Sequence, residues 1–354
     1  MLVDGKQYQS IWIENEKVFI INQNLLPWKF EIKELKTSKD VINVINDMEV
    51  RGAPLIGATA ALGVYLASKE SKNETEFNII IEIFRNTRPT AVNLIKGIDA
   101  VLSKIKAKAF LDCWSKNALA AAEIFIKNEI LACKKIGENG LSIIEEIQKK
   151  NNNNTINILT HCNAGWLACI DHGTALSPIY LAHNKGIKIH VWVDETRPRN
   201  QGARLTAWEL GKHGVPYTII SDNTGGHLMQ IEKVDLCIVG SDRTTKDGDT
   251  ANKIGTYQKA LAAKDNNIPF YVALPYSTID FNINNGLLET PIEQRSSEEV
   301  KYIEGFLNNK IQKVLLTPDN SPVANYAFDI TPARLINGFI TERGIFKQPV
   351  NFIK

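Results

Sequence analysis

No apolar run in this sequence reaches the roughly 20 residues that a membrane span needs. The most apolar stretch, 53–68, reads instead as a buried helix. The opening MLVDGKQYQS has no basic segment followed by an apolar run, so no secretory signal is expected. The five cysteines, at 113, 133, 162, 169 and 237, are odd in number and scattered, which excludes a disulfide framework and fits a reducing cytoplasm. A net charge of +2 gives neither nucleic acid nor an anionic membrane a reason to bind. No GxGxxG or GxxxxGKS is present for a dinucleotide or a nucleoside triphosphate, and no paired CxxC or HExxH for a metal.

What is present is a globular chain of 354 residues, 44% hydrophobic and 23% charged, long enough for one large domain or two ordinary ones. The clearest seam is KKNNNNT, 149–155, because four consecutive asparagines cannot bury a face and favour turns. Before it, QSIWIENEKVFIINQ alternates weakly and predicts a hairpin turning at Glu14, Asn15 and Glu16. Helical spacing then predicts helices over 38–50, 54–70, 90–107, 115–133 and 138–149. After the seam, β-branched runs at 155–160, 187–193, 216–221, 234–240, 268–274 and 312–316 alternate with helix-length segments at 174–185, 201–213, 224–231 and 252–265. The segment 291–308 is longer and less regular, and a last helix is expected from Thr331-Pro332 to near Gly344. The fold class is therefore α/β: a parallel-sheet domain, 151–354, preceded by a smaller, mostly helical domain, 1–150, with an N-terminal β-hairpin.

Open parallel sheets bind ligands beyond the carboxyl ends of their strands, where the strand order reverses. In the common doubly wound order the first and fourth strands flank that crevice. The first run ends at His161, Cys162 and Asn163, and the fourth at GSDRTT with Asp242. That order would set Cys162 against Asp242. Residue type alone leaves Cys162 three further readings: a small buried hydrophobe, a metal ligand with Cys169 and His172, or a nucleophile served by His161. The last is disfavoured, because neighbours on an extended chain point to opposite faces.

Three arginines precede prolines that could open helices: Arg51 before Gly52, Ala53 and Pro54; Arg88 before Pro89; and Arg197 before Pro198. Free amides at a helix start and a guanidinium beside them suit a phosphate. Asn252 and Lys253 are expected at the start of the helix after the fourth strand, and Gln201 at the start of the one after the second. A lysine there would neutralise phosphate, and neutral amides suit sugar hydroxyls.

Taken together, RGAPLIG, RPTAVNL, THCNAG, DETRPRNQGARLTAWEL, GSDRTTKDGDTANKIGTY and FDITPARLINGFITERG resemble the methylthioribose-1-phosphate isomerase family, part of a superfamily shared with regulatory subunits of the eukaryotic initiation-factor 2B complex. The resemblance spans about 40 to 345. It implies a Rossmann-like catalytic domain behind a helical one, a homodimer in the cytoplasm, a small-molecule sugar phosphate as substrate in methionine salvage, and neither cofactor nor metal. By motif it makes Cys162 and Asp242 the catalytic pair, with Arg51, Gly52, Ala53, Arg88, Gln201, Asn252 and Lys253 holding the substrate. The segments 163–180 and 91–101 depart from the family's commonest pattern. They leave the carbon-5 substituent open between methylthio, hydrogen (as in 5-deoxyribose 1-phosphate) and both. Isomerisation of ribose 1,5-bisphosphate, or a non-catalytic sugar-phosphate or nucleotide sensor, are the other readings.

Overall fold

The computed structural model describes residues 1–88, 92–105, 114–152 and 154–352. Pro89, Thr90, Cys113 and Asn153, which figured in the sequence reading, lie outside that set. After a short antiparallel pairing of Leu2–Val3 with Lys6–Gln7 comes the predicted hairpin: β1 (Ile11–Glu14) and β2 (Lys17–Ile21) pair antiparallel, and β3 (Ile32–Leu35) adds a third strand to them. Asn15 and Glu16 take positive φ at the turn.

Five helices follow. In α1 (Ser38–Asn46), Thr37 and Asp40 form a reciprocal capping box. In α2 (Ala53–Glu70), Pro54 sits in the first turn and 53–67 is buried throughout, the all-round apolar signature of a core helix. Next come α3 (Glu74–Thr87), α4 (Val92–Ile105) and α5 (Trp114–Lys150). The apolar spacing of Phe77, Ile81 and Phe84 behind the Asn73 cap makes α3, which the sequence reading passed over. The expected helices 115–133 and 138–149 are one continuous α5. Gly137 and Gly140 within it lie against Ser177 and Pro178, where a side chain would collide. One end of α5 joins the core of α2 and α4 through Ala118, Ala122 and Ile126; the other joins the sheet's core through Ile136, Leu141 and Ile144. No helix among the described residues is long and apolar enough to cross a membrane.

The main sheet is built from β4 (Ile156–Thr160), α6 (Ser177–Asn184), β5 (Ile189–Asp194), α7 (Ala207–His213), β6 (Tyr217–Ile220), α8 (Thr224–Gln230) and β7 (Leu236–Val239). A short excursion, β8 (Arg243–Thr245) and β9 (Thr250–Lys253), precedes α9 (Thr256–Asp265) and β10 (Phe270–Ala273). Strands β11 (Tyr302–Leu307) and β12 (Lys310–Leu315) form a separate antiparallel hairpin. The chain closes with β13 (Phe328–Thr331), β14 (Gly338–Thr341) and β15 (Gly344–Lys347). The seven-stranded order is β15-β14-β10-β7-β4-β5-β6, parallel except for β15. Apart from that added edge, it is the doubly wound order, with the switch point between β4 and β7.

Two expectations are corrected. The run 312–316 does form a strand over 312–315, but as part of β12 in the separate hairpin and not in the parallel sheet; its residues are mostly half-exposed or exposed, so it has no face to bury. The expected helix from Thr331-Pro332 to Gly344 is instead β14 and the turn into β15. Phe339 and Ile340 are fully buried on opposite faces of the sheet, a two-sided burial that reads equally well as helix in a short apolar run.

The helical core is tightest where α2 meets α4: a Cβ on Gly97 would lie 2.1 Å from the carbonyl oxygen of Gly57. Since backbone cannot swing aside, Gly97→Ala is expected to cost about 1–3 kcal/mol of stability. An unchanged urea midpoint would show that the two helices part freely.

Candidate active site

Cys162 lies two residues beyond β4 and Asp242 three beyond β7. Together with Arg51, Gly52, Ala53 and Asn252 they line one cavity at the carboxyl edge of the sheet. Cys162 is buried and held at φ +69°, a strained conformation for a residue with a side chain. Two threonines enforce it: the Cys162 amide donates to Thr196 Oγ1 at 2.9 Å, and Thr206 Oγ1 donates to its carbonyl at 2.8 Å. Arg51 Nη2 stands 3.9 Å from the sulfur. The Asp242 amide donates to Ala251 at 3.0 Å, which fixes the backbone entering β8.

Gly52, at φ +95°, precedes the buried 18-residue α2, whose first turn faces this cavity. A Cβ there would lie 2.5 Å from Ala168, so glycine alone fits. Arg51 is clamped from behind: Nη1 donates to Asn163 Oδ1 at 2.5 Å and Nη2 to the Asn163 carbonyl at 2.7 Å. Asn163 in turn donates to Glu209 at 2.8 Å. Glu209 is buried and also accepts from the amides of Trp166 and Leu167 and from the Tyr180 hydroxyl. Burial pushes the Glu209 carboxyl up to about 7, against the pull of those donors.

Gln201 lines a smaller pocket that shares Arg51 with the first; its Oε1 is buried without a partner among the described residues. Asn252 Nδ2 donates to Thr256 Oγ1 at 3.0 Å. Asn252 and Lys253 sit on strand β9, not at the start of α9, because the chain after β7 first makes an antiparallel turn through β8. Lys253 Nζ lies 4.4 Å from the centre of the Phe328 ring. Its pKa falls to about 8, chiefly from burial and then from Arg295, with Cys162 and Asp242 pulling the other way. Arg88 ends α3 and pairs with Glu293 at 3.3 Å. Burial and then Arg295 lower its pKa, while Glu293 and Asp242 oppose them. Arg197 and Pro198 do not open a helix. They form a turn in which the Arg197 amide donates to Asp222 Oδ2 at 2.8 Å, and the helical segment begins later, near Gln201.

His161 points away from Cys162. Its Nδ1 lies 2.8 Å from Asp194 Oδ2 and its Nε2 2.9 Å from the Ile254 carbonyl oxygen. Cys162, Cys169 and His172 do not gather as a ligand set; the one such group among the described residues is His161, Asp194 and Asp222. Lys259 Nζ already occupies that position, 3.2 Å from Asp194 Oδ2 and donating to the Asp222 carbonyl, so an ammonium supplies the charge a metal would.

The profile of the Initiation factor 2 subunit family matches residues 49–348. A methylthioribose-1-phosphate isomerase of Desulfatibacillum aliphaticivorans is 56% identical, covering 98% of this chain and 96% of its own. One of Desulfosudis oleivorans is 52% identical over 97% and 95%. The solved 5-methylthioribose 1-phosphate isomerase of Pyrococcus horikoshii OT3 superposes with a TM-score of 0.84 at 37% identity, covering 98% and 94%. The chain belongs to the methylthioribose-1-phosphate isomerases of this family. A solved eIF-2B delta subunit from A. fulgidus gives a TM-score of 0.79 at 35% identity over 97% of each chain, so the same scaffold also carries the name of a translation factor.

The sequence reading missed the residues that hold the cavity walls. Glu209, Asp194 and Lys259 lie inside or beside quoted motifs, but their burial follows from packing and not from spacing. Arg295 and Glu293 lie in the irregular segment, and an arginine and a glutamate one residue apart there read as solvated charge. Glu209→Gln would turn an amide NH2 toward groups that are all donors. It is expected to cost about 2 kcal/mol or more, read as a lower urea midpoint; an unshifted midpoint would remove Glu209 from this supporting role.

Proposed function

We propose that the chain isomerises 5-methylthioribose 1-phosphate to 5-methylthioribulose 1-phosphate, with Cys162 and Asp242 as its catalytic pair. The observation that carries this reading is their meeting in one cavity at the β4/β7 switch point, beside the start of α2 and within electrostatic reach of Arg51, Arg88 and Lys253. Residues 1–150, as a helical domain, contribute Arg51, Gly52, Ala53 and Arg88 to substrate binding. Residues 151–354 contribute the catalytic pair with Gln201, Asn252 and Lys253. A cytoplasmic homodimer belongs to the same reading and rests on family membership.

The substrate's anomeric carbon carries phosphate and is an acetal, so ring opening needs a proton on the ring oxygen. Asp242 supplies it as the bond from carbon 1 to the ring oxygen breaks. Hydrogen then moves from carbon 2 to carbon 1. As a hydride, it leaves carbon 2 as a carbonyl whose hydroxyl proton returns to Asp242. As a proton, it is taken from carbon 2 by the Cys162 thiolate to give an enediol 1-phosphate and returned by the thiol to carbon 1, while the carbon-2 hydroxyl proton goes back to Asp242. The cavity's buried walls exclude bulk water on either route. The apolar segment after Cys162 reaches the cavity only through Ala164, Ala168 and Cys169, while Trp166 packs on Trp208.

Purified protein is expected to turn over methylthioribose 1-phosphate, and Asp242→Asn and Cys162→Ala are each expected to lower kcat at least about 100-fold. Near-normal turnover by either variant removes that residue from the pair, and an inactive wild type removes the reaction. Competition between methylthioribose 1-phosphate and 5-deoxyribose 1-phosphate decides the carbon-5 preference.

Lys253 binds phosphate only while protonated. With its pKa depressed to about 8, its charge is present below that pH and lost as pH rises through it. The free-enzyme profile of kcat/KM is therefore expected to fall above about pH 8. In Lys253→Arg this limb should move up, since a guanidinium stays charged. A profile that stays flat to about pH 9.5 in the wild type would show that Lys253 does not bear on binding.

A further inference from the structure

Three cations crowd around one carboxylate, Glu293, and two of them, Arg88 and Lys253, lie within electrostatic reach of Asp242 on the cavity wall. Glu293 Oε2 lies 3.3 Å from Arg88 Nη2 and 3.2 Å from Arg295 Nη2, so a single oxygen serves two guanidiniums. Lys253 Nζ and Arg295 Cζ approach the same Phe328 ring, at 4.4 and 5.8 Å. The Arg295 side chain is 8% exposed, less than that of Arg88 at 11%.

Arg295 is also poorly satisfied for a buried guanidinium. Its Nη1 donates to the thioether sulfur of Met48 at 3.0 Å, a weak acceptor. Its Nε is buried with no hydrogen-bond partner among the described residues. A surplus of buried positive charge with an unused donor is costly unless an anion completes it. A phosphate dianion offers the charge and the several acceptor oxygens that this arrangement lacks, in a geometry a guanidinium fork can meet with two parallel bonds.

Resting on the sugar-phosphate reading above, we infer that Arg295 is a further substrate-binding residue, gripping the phosphate beside Arg88 and Lys253, and that Glu293 is the built-in counter-ion which the phosphate displaces. Arg295 is the largest charge-based cause of the lowered pKa of both Arg88 and Lys253, as a cation in the same binding site would be. Glu293 in the same position sets a ceiling on affinity: it holds the two guanidiniums in register but competes with the incoming anion, which favours product release.

The test is titration calorimetry of the full-length protein with inorganic phosphate, run beside steady-state kinetics with methylthioribose 1-phosphate. Arg295→Gln is expected to weaken phosphate binding about tenfold or more and to lower kcat/KM mainly through KM. Arg295→Lys should keep part of the affinity, since it retains charge without the fork. Glu293→Gln should tighten phosphate binding by about threefold or more, because a competing carboxylate is gone. Unchanged phosphate affinity in Arg295→Gln, or weaker binding in Glu293→Gln, overturns the proposal; the second outcome is what a merely structural ion pair gives. If Arg295→Gln does not fold, Arg295→Lys and Glu293→Gln decide, the former by weakened binding and the latter by tightened. A wild type that binds phosphate in this pattern but does not turn over the sugar would sink the isomerase reading and leave Arg295 in place. A wild type that turns over the sugar, with phosphate affinity indifferent to Arg295, would do the reverse.

Discussion

The cleft depends on the parallel pairing of β4 with β7. Ile158 and Leu159 lie opposite Leu236 and Cys237, and Thr160 Oγ1 adds a bond to the Ile238 carbonyl at 2.8 Å. That register sets two chain exits side by side, one leading to Cys162 and the other to Asp242. Neither side chain contacts the other's strand through any local preference. They share a cavity because helices leaving the two strands wind to opposite faces of the sheet and leave the space between them open.

Two buried carboxylates then hold the walls of that space. Glu209 secures one side: it gathers Asn163, the amides after Gly165 and the Tyr180 hydroxyl, and through Asn163 it aims Arg51. Asp194 secures the other: it receives His161 and Lys259, and His161 ties the residue before Cys162 to the carbonyl after Lys253. The strand end that leads to Cys162 and the one that carries Lys253 are thus linked through one imidazole. Burying two carboxylates would be costly if they were unpaired, but Glu209 is met by four donors and Asp194 Oδ2 by an imidazole and an ammonium, so the cost yields rigid geometry.

Several features were legible in the chain itself. The doubly wound class followed from strand–helix alternation, and the hairpin turn from ENE between two alternating runs. The glycine before α2 and the proline in its first turn marked a helix start. Other features were not. The expected gap between 133 and 138 in α5 falls on Lys134 to Gly137, where a glycine that admits a neighbouring helix looks the same as one that ends a helix. The strand β14 looked helical because it is buried on both faces and loses its alternation. Lys253 looked like a helix-start residue because a two-strand excursion of so few residues leaves almost no periodicity to detect.

By itself the sequence determined which residues had the chemistry: a thiol and a carboxyl after apolar runs, and arginines placed beside glycine and proline. These are local facts, set by side-chain type and by the few backbone conformations that proline and glycine permit. Tertiary structure alone decided which of them act together. Arg295 joins Arg88 and Lys253 from an irregular segment, and Glu209 becomes a buried anchor, because burial and charge balance arise from segments as far apart as Met48 and Arg295 packing against one another. No window along the chain contains that information.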